Sequence, residues 1–126
     1  MDIGEMLLRK HIDQEMLDFI KKYVSDFIRL DIVRFFGLNA SSRVDVETLS
    51  EITNNKKEDI EKALKELVKN HILEEIIMEN KKLFELTKDN SILQFVKRFI
   101  SYYSKTSIRL LIIGYLLNKS IEQKEK

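Results

Sequence analysis

The chain of 126 residues has no cysteine, no proline and no tryptophan, and only three glycines. Lack of cysteine excludes disulfides, thiolate nucleophiles and cysteine-ligated metal sites, and suits a cytoplasmic setting. Lack of proline, with so little glycine, leaves few points where a helix must stop, so the chain reads as mostly helix. Long hydrophobic runs are missing as well. The longest, Leu110–Ile113, resumes after Gly114 over Tyr115–Leu117 and falls short of the ~18 apolar residues that suggest a membrane span. No cationic segment followed by an apolar stretch opens the chain, so no secretory leader is expected. Hydrophobic residues at 44% and charged residues at 34% describe a globular domain. The length fits one domain, 1–126, with a modest core.

Signals of catalysis are equally scarce. The histidines, His11 and His71, stand 60 residues apart, and His71 reads as a packing residue facing the core at a helix-to-strand junction. No HExxH, glycine-rich phosphate loop or nucleophile elbow occurs. Ser41, Ser42, Ser50 and Ser91 have no nearby base, and scattered carboxylates give no metal-ligand spacing. The expectation is a protein that is not an enzyme, with no catalytic residue, no cofactor and no metal.

What is present is a run of punctuation between Asp45 and Thr87. Asp45 is placed to cap a short helix over Val46–Thr53, with Leu49 and Ile52 on one face. Asn54–Asn55 forms a turn. A second helix runs from about Lys56 to Lys69, with Ile60, Ala63, Leu64 and Leu67 as its apolar stripe. Asn55 and Glu58 have the spacing of a capping box at its start. His71–Met78 and Lys82–Thr87 then read as strands joined by the polar turn Glu79–Lys81, and Arg43–Val44 as a short strand able to pair with that hairpin. Ile60, Leu64, Leu67, Phe84 and Leu86 are expected to share a core with Leu49, Ile52 and Val33.

The flanks are helical. Asp13 caps a stripe running through Met16, Leu17, Ile20 and Val24; it continues through Ile32, Val33 and Phe36, with a break near Ser25–Asp26 and Gly37 and Asn39 as stops. Thr87 is a candidate cap for a helix over Lys88–Tyr103. Ser104 or Thr106 would cap a last helix reaching Asn118, with a polar tail fraying after Ser120. That last helix is apolar nearly all round and so needs burial on several sides. Packing inside the monomer satisfies this; a homodimer interface built from 13–28 and 92–117 does so too, and is expected. Aromatics on these flanks (Phe19, Tyr23, Phe27, Phe95, Phe99, Tyr102, Tyr103) serve as core, or line a cavity between dimer helices for a small-molecule effector whose identity is unknown.

Residues 27–87 resemble the winged helix-turn-helix domain of small bacterial and archaeal transcription regulators, broadly of the MarR and ArsR type. The resemblance rests on RLDIVRFFGLN (Arg29–Asn39), on the run from Val46 to Leu73, and on the closing LFELT (Leu83–Thr87). It implies a mainly α (α+β) fold with a short hairpin wing. Residues 1–26 would be an N-terminal helical extension and 88–126 the C-terminal helices that dimerise.

In such a fold the second helix of the motif enters the major groove of double-stranded DNA, and the wing reaches the backbone. With Ile60, Leu64 and Leu67 inward, Glu58, Lys62, Lys65 and Lys69 point outward. Candidate DNA contacts are therefore Lys56, Lys57, Lys62, Lys65 and Lys69 on helix 56–69, Lys81 and Lys82 in the 79–82 wing, and Asn54 and Asn55 as adenine readers. The same lysines also suit a solvated face paired at i,i+4, as Glu58–Lys62, Glu61–Lys65 and Lys62–Glu66. Glu58, Asp59 and Glu61 stand where bases are often read, and the helix has no arginine for guanine. Specificity is expected to be modest, or set by dimer spacing.

Charge divides the readings. Segments 1–40, 41–87 and 88–126 carry net charges of −1, −3 and +5. A basic C-terminal third (Lys97, Arg98, Lys105, Arg109) either flanks DNA or solubilises an apolar helix pair. The acidic motif favours the alternative to a DNA-binding transcription regulator: a winged-helix protein-protein interaction module, or complex subunit, without DNA binding.

Overall fold

The computed structural model describes residues 2–124, which form seven helices and one two-stranded antiparallel sheet. Helices α1 (Ile3–Arg9), α2 (Gln14–Tyr23) and α3 (Phe27–Leu38) precede the helix-turn-helix pair α4 (Val46–Thr53) and α5 (Lys57–Lys69). The hairpin β1 (Leu73–Met78) and β2 (Lys81–Leu86) follows directly, and α6 (Asn90–Ser104) and α7 (Thr106–Lys124) close the chain. This is the mainly helical α+β arrangement with a hairpin wing that the sequence pattern implies.

Aspartate starts five of these helices. Asp2, Asp13, Asp26, Asp45 and Asp89 each accept a backbone N–H from the first turn that follows, supplying an acceptor that the helix itself lacks there. Asp26 produces the break anticipated near Ser25. Thr87 is not the cap of α6: its hydroxyl accepts from Asp89 N, and Asp89 caps instead. The expected capping box at α5 does not form either. Lys56 occupies the N-cap position with no side-chain bond, and the Asn55 amide donates to Asp31 on α3 at 3.1 Å.

Gly37 is not a stop. It lies inside α3, where α6 crosses so closely that a Cβ would stand 2.5 Å from Ile100 Cγ1. Asn39 is the residue that ends the helix. His71 is likewise not a core residue: it is exposed in the left-handed region at φ 66°, turning the chain so that Ile72 and Leu73 are buried. The hairpin turn is two residues, Glu79 and Asn80, both at positive φ (51° and 65°), with Met78 opposite Lys81. Positive φ at both central residues gives the turn a backbone twist of the same right-handed sense as the two strands. Val44 bridges Phe84, as expected of a third short strand.

One core joins all of these pieces. Val33, Leu49, Ile60, Leu64, Leu67, Phe84 and Leu86 are buried together, but Ile52 is 54% exposed and does not join them. Met16, Leu17, Phe19, Ile20 and Val24 are buried within the chain, so most of the apolar surface of 13–28 is consumed internally rather than offered to a partner. Helix α7 is half-satisfied in the same way: Ile108, Ile112, Tyr115 and Leu116 are buried, with α1 packed alongside, while Leu110, Leu117 and Ile121 stay exposed. The helix continues past Ser120 to Lys124; residues 125–126 of the expected frayed tail lie outside the described residues. None of the helices described is long and apolar enough to cross a membrane.

Candidate nucleic-acid interface

The apolar stripe of α5 faces the core and presents Lys62, Lys65 and Lys69 to solvent. Spaced three and four apart, they form a row about 10 Å long on one side of the helix. Among the described residues none of the three has an ion-pair partner. Of the i,i+4 pairs that would neutralise them, Lys62–Glu66 is replaced by Glu66 turning to Arg29 on α3, and Glu58–Lys62 and Glu61–Lys65 are not made. Arg29 also holds Asp26, so this pair of contacts ties α5 to α3.

Glu58, Asp59 and Glu61 are exposed in the first turns of the same helix. With no side-chain cap at Lys56, their carboxylates are the groups that complement the positive end of the helix dipole. Lys57 reaches back to Glu47 on α4 at 3.4 Å. Lys56 is exposed at the N-cap itself. The two asparagines part company: Asn54 ends α4 in the left-handed region at φ 56° and is exposed, whereas Asn55 spends its amide on Asp31 and on the Thr53 carbonyl. Asn55 is thus a structural residue of the turn, with no free donor aimed outward for adenine.

In the wing, Lys81 and Lys82 are both exposed, and Lys82 is 3.3 Å from Glu75 across the ladder. Ile77 at 71% and Met78 at 44% exposure make the tip apolar as well as basic. Arg43, not anticipated as a site residue, lies against the hairpin and donates to Glu85 at 2.8 Å. It borders an open groove of about 670 Å³ between the wing and α6, together with Lys88 and Lys97. No local pattern marks Arg43 or Lys88; only the folding of α6 beside β2 gathers them.

Several other cations of the C-terminal third are spent on aromatic rings. Arg98 lies over Phe95 and pairs with Asp13, Lys105 lies over Tyr102, and Arg109 lies over Tyr103, joined there by Arg34 from α3. Such contacts anchor each head group to an apolar surface. Burial pushes the Tyr103 hydroxyl above its usual range, against the pull of these two arginines. The aromatic residues of α2 and α6 do border a depression of about 250 Å³, with Phe19, Tyr23, Ile92 and Phe95 in its wall. Phe19 and Phe95 stack with centroids 6.0 Å apart, and among the described residues no cluster of histidine or carboxylate groups could hold a metal ion. No protein-family model matches the chain, and no curated protein matches it in sequence.

Proposed function

We propose that the chain is a DNA-binding protein of the winged helix-turn-helix kind, a transcription regulator acting in the cytoplasm as a homodimer. The observation that carries this reading is the row Lys62, Lys65 and Lys69, exposed and unpaired on the outward side of the second helix of the motif. A helix about 10–12 Å across fits the major groove, and a cationic row along it suits the phosphates at the groove edge. Lys81 and Lys82 extend the same charge to the wing, with Lys88 and Lys97 beside it. No arginine or free asparagine amide on α5 is placed to read a base, so the binding is dominated by the backbone.

Anisotropy of a labelled duplex, titrated across a salt series, tests the proposal. Each of Lys62→Ala, Lys65→Ala and Lys69→Ala should weaken binding to all sequences alike and lower the salt slope by about one unit per lost contact. Absence of binding at low salt, or indifference to all three changes, would favour a protein-interaction module. The acidic surroundings of the row and the apolar wing tip at Ile77 and Met78 are the features that would then require a protein partner.

A further inference from the structure

Helix α7 begins without an acid. Five helices start on an aspartate that accepts a first-turn N–H, and α5 carries Glu58 and Asp59 there, but the first turn of α7 holds no acidic residue. What gathers beside it is positive. Arg109 of α7 and Arg34 of α3 both lie over the Tyr103 ring, 6.0 and 5.6 Å from its centroid. Among the described residues neither arginine has a carboxylate partner, and the Arg109 guanidinium donates only to the Thr106 hydroxyl, at 3.3 Å. Asp31, one turn before Arg34, is engaged by the Asn55 amide. Arg34, Tyr103 and Arg109 line one cavity of about 180 Å³ together with Leu38, Ile100 and Ser104. Tyr103 is only 9% exposed, and among the described residues its hydroxyl has no hydrogen-bond partner.

We propose that this cavity binds a phosphate monoester carried on a small apolar body, with the two guanidiniums clasping the phosphate and Leu38 and Ile100 receiving the apolar part. Charge selects the ligand. Two unpaired guanidiniums brought to one ring repel each other; a dianion offsets both, whereas a carboxylate offsets one. Each arginine is already stacked on Tyr103, so less side-chain freedom is lost when it grips an anion. The Tyr103 hydroxyl supplies a further donor, while the Ser104 hydroxyl is committed to the Ser101 carbonyl. The start of α7, with no acid to occupy it, adds the positive end of a helix dipole. The cavity has room for roughly six water molecules at ~30 Å³ each, enough for a phosphate group and the near edge of a ring. None of these residues is among the α5 and wing contacts proposed for DNA, so the site does not rest on that reading.

Calorimetric titration of the full chain with phenyl phosphate should show saturable binding, one ligand per chain. Inorganic phosphate, which lacks the apolar body, and benzoate, which lacks the second charge, should each bind about 10-fold more weakly or worse. Arg34→Gln and Arg109→Gln should each raise the phenyl phosphate Kd by about 10-fold or more, with helical circular dichroism unchanged because Arg34 is exposed and Arg109 half-buried. Tyr103→Phe keeps the ring beneath both arginines and should weaken binding less. Arg98→Gln, which removes an arginine stacked on Phe95 outside the cavity, should leave the Kd unchanged. The charged groups acting on Tyr103 are Arg34 and Asp31 from α3 and Arg109 from α7. Side chains of these types ordinarily titrate outside about pH 5–7, whereas a phosphate monoester gains its second charge near pH ~6. Affinity for phenyl phosphate should therefore rise across that range while affinity for benzoate stays nearly flat. No saturable binding at millimolar phenyl phosphate, equal affinity for benzoate or inorganic phosphate, or indifference to both arginine changes would overturn the proposal. Loss of duplex binding in the arginine variants, with no binding of phenyl phosphate, would overturn it too and assign both arginines to the DNA surface.

Discussion

Replacing Gly37 by alanine sets two known quantities against each other. In an open helix the change from glycine to alanine stabilises by about 0.8–1.0 kcal/mol, because the alanine backbone has less freedom to lose. At Gly37 the new methyl would lie 2.5 Å from Ile100 Cγ1, 2.7 Å from Cδ1 and 3.3 Å from Val96 Cγ1. Overpacking of this kind costs about 1–3 kcal/mol, so it cancels or outweighs the propensity gain and Gly37→Ala should be destabilising by up to ~2 kcal/mol. Ile100→Ala alone should cost part of the usual ~2–5 kcal/mol for a buried truncation, since Ile100 is only half-buried. In that background the two closest atoms are gone, and Gly37→Ala should become stabilising. Urea unfolding of the four proteins, followed by circular dichroism with the slope checked for constancy, measures the coupling. Unfolding of an associated chain depends on its concentration, so all four are compared at one protein concentration. Stabilisation by Gly37→Ala in the wild-type background, or a coupling within the ~0.5 kcal/mol of additive sites, would refute the close crossing of α3 and α6.

Leu64→Ala, at a fully buried position, should cost about 2–5 kcal/mol, whereas Ile52→Ala, 54% exposed, should change stability far less; denaturation midpoints of the two compare the readings of these residues directly. Hydrogen bonds from Thr48 hold Asp45 below the ordinary carboxylate range, so its contribution is present above the unfolded-state pKa of about 3.9 and is lost as pH falls through the lower folded value. Asp45→Asn keeps a competent cap without the charge, and its stability should converge on that of wild type as acid unfolding is followed below about pH 4. Glu58→Gln should strengthen binding to any duplex at low salt by removing a repulsive charge from α5. Since Glu58 takes no part in a cap, the only expected cost is the ~0.3–1 kcal/mol of a carboxylate at a helix N-terminus, which thermal unfolding without DNA would register.

The sequence by itself determined what depends on neighbours along the chain. Apolar periodicity placed α4, α5 and the hairpin, and Asp13 and Asp45 announced their helices, because a cap bonds to a backbone group three residues away. The outward row Lys62, Lys65 and Lys69 was legible for the same reason: helical geometry fixes which residues oppose a buried stripe. Tertiary structure decided whatever depended on distant groups. Asn55 had the spacing of a cap, yet Asp31, 24 residues earlier, drew its side chain away. Gly37 looked like a terminator until α6 was laid across it, and Ile52 looked like core until the fold left its side of α4 uncovered. Glu66 was free to pair with Lys62 on its own helix, but Arg29 on α3 took it, and Lys62 was left without that partner. Composition could say that α7 needs burial on several sides, since water disfavours an all-round apolar helix. Only packing shows which side the core satisfies, and that the uncharged side around Gly114 is left over.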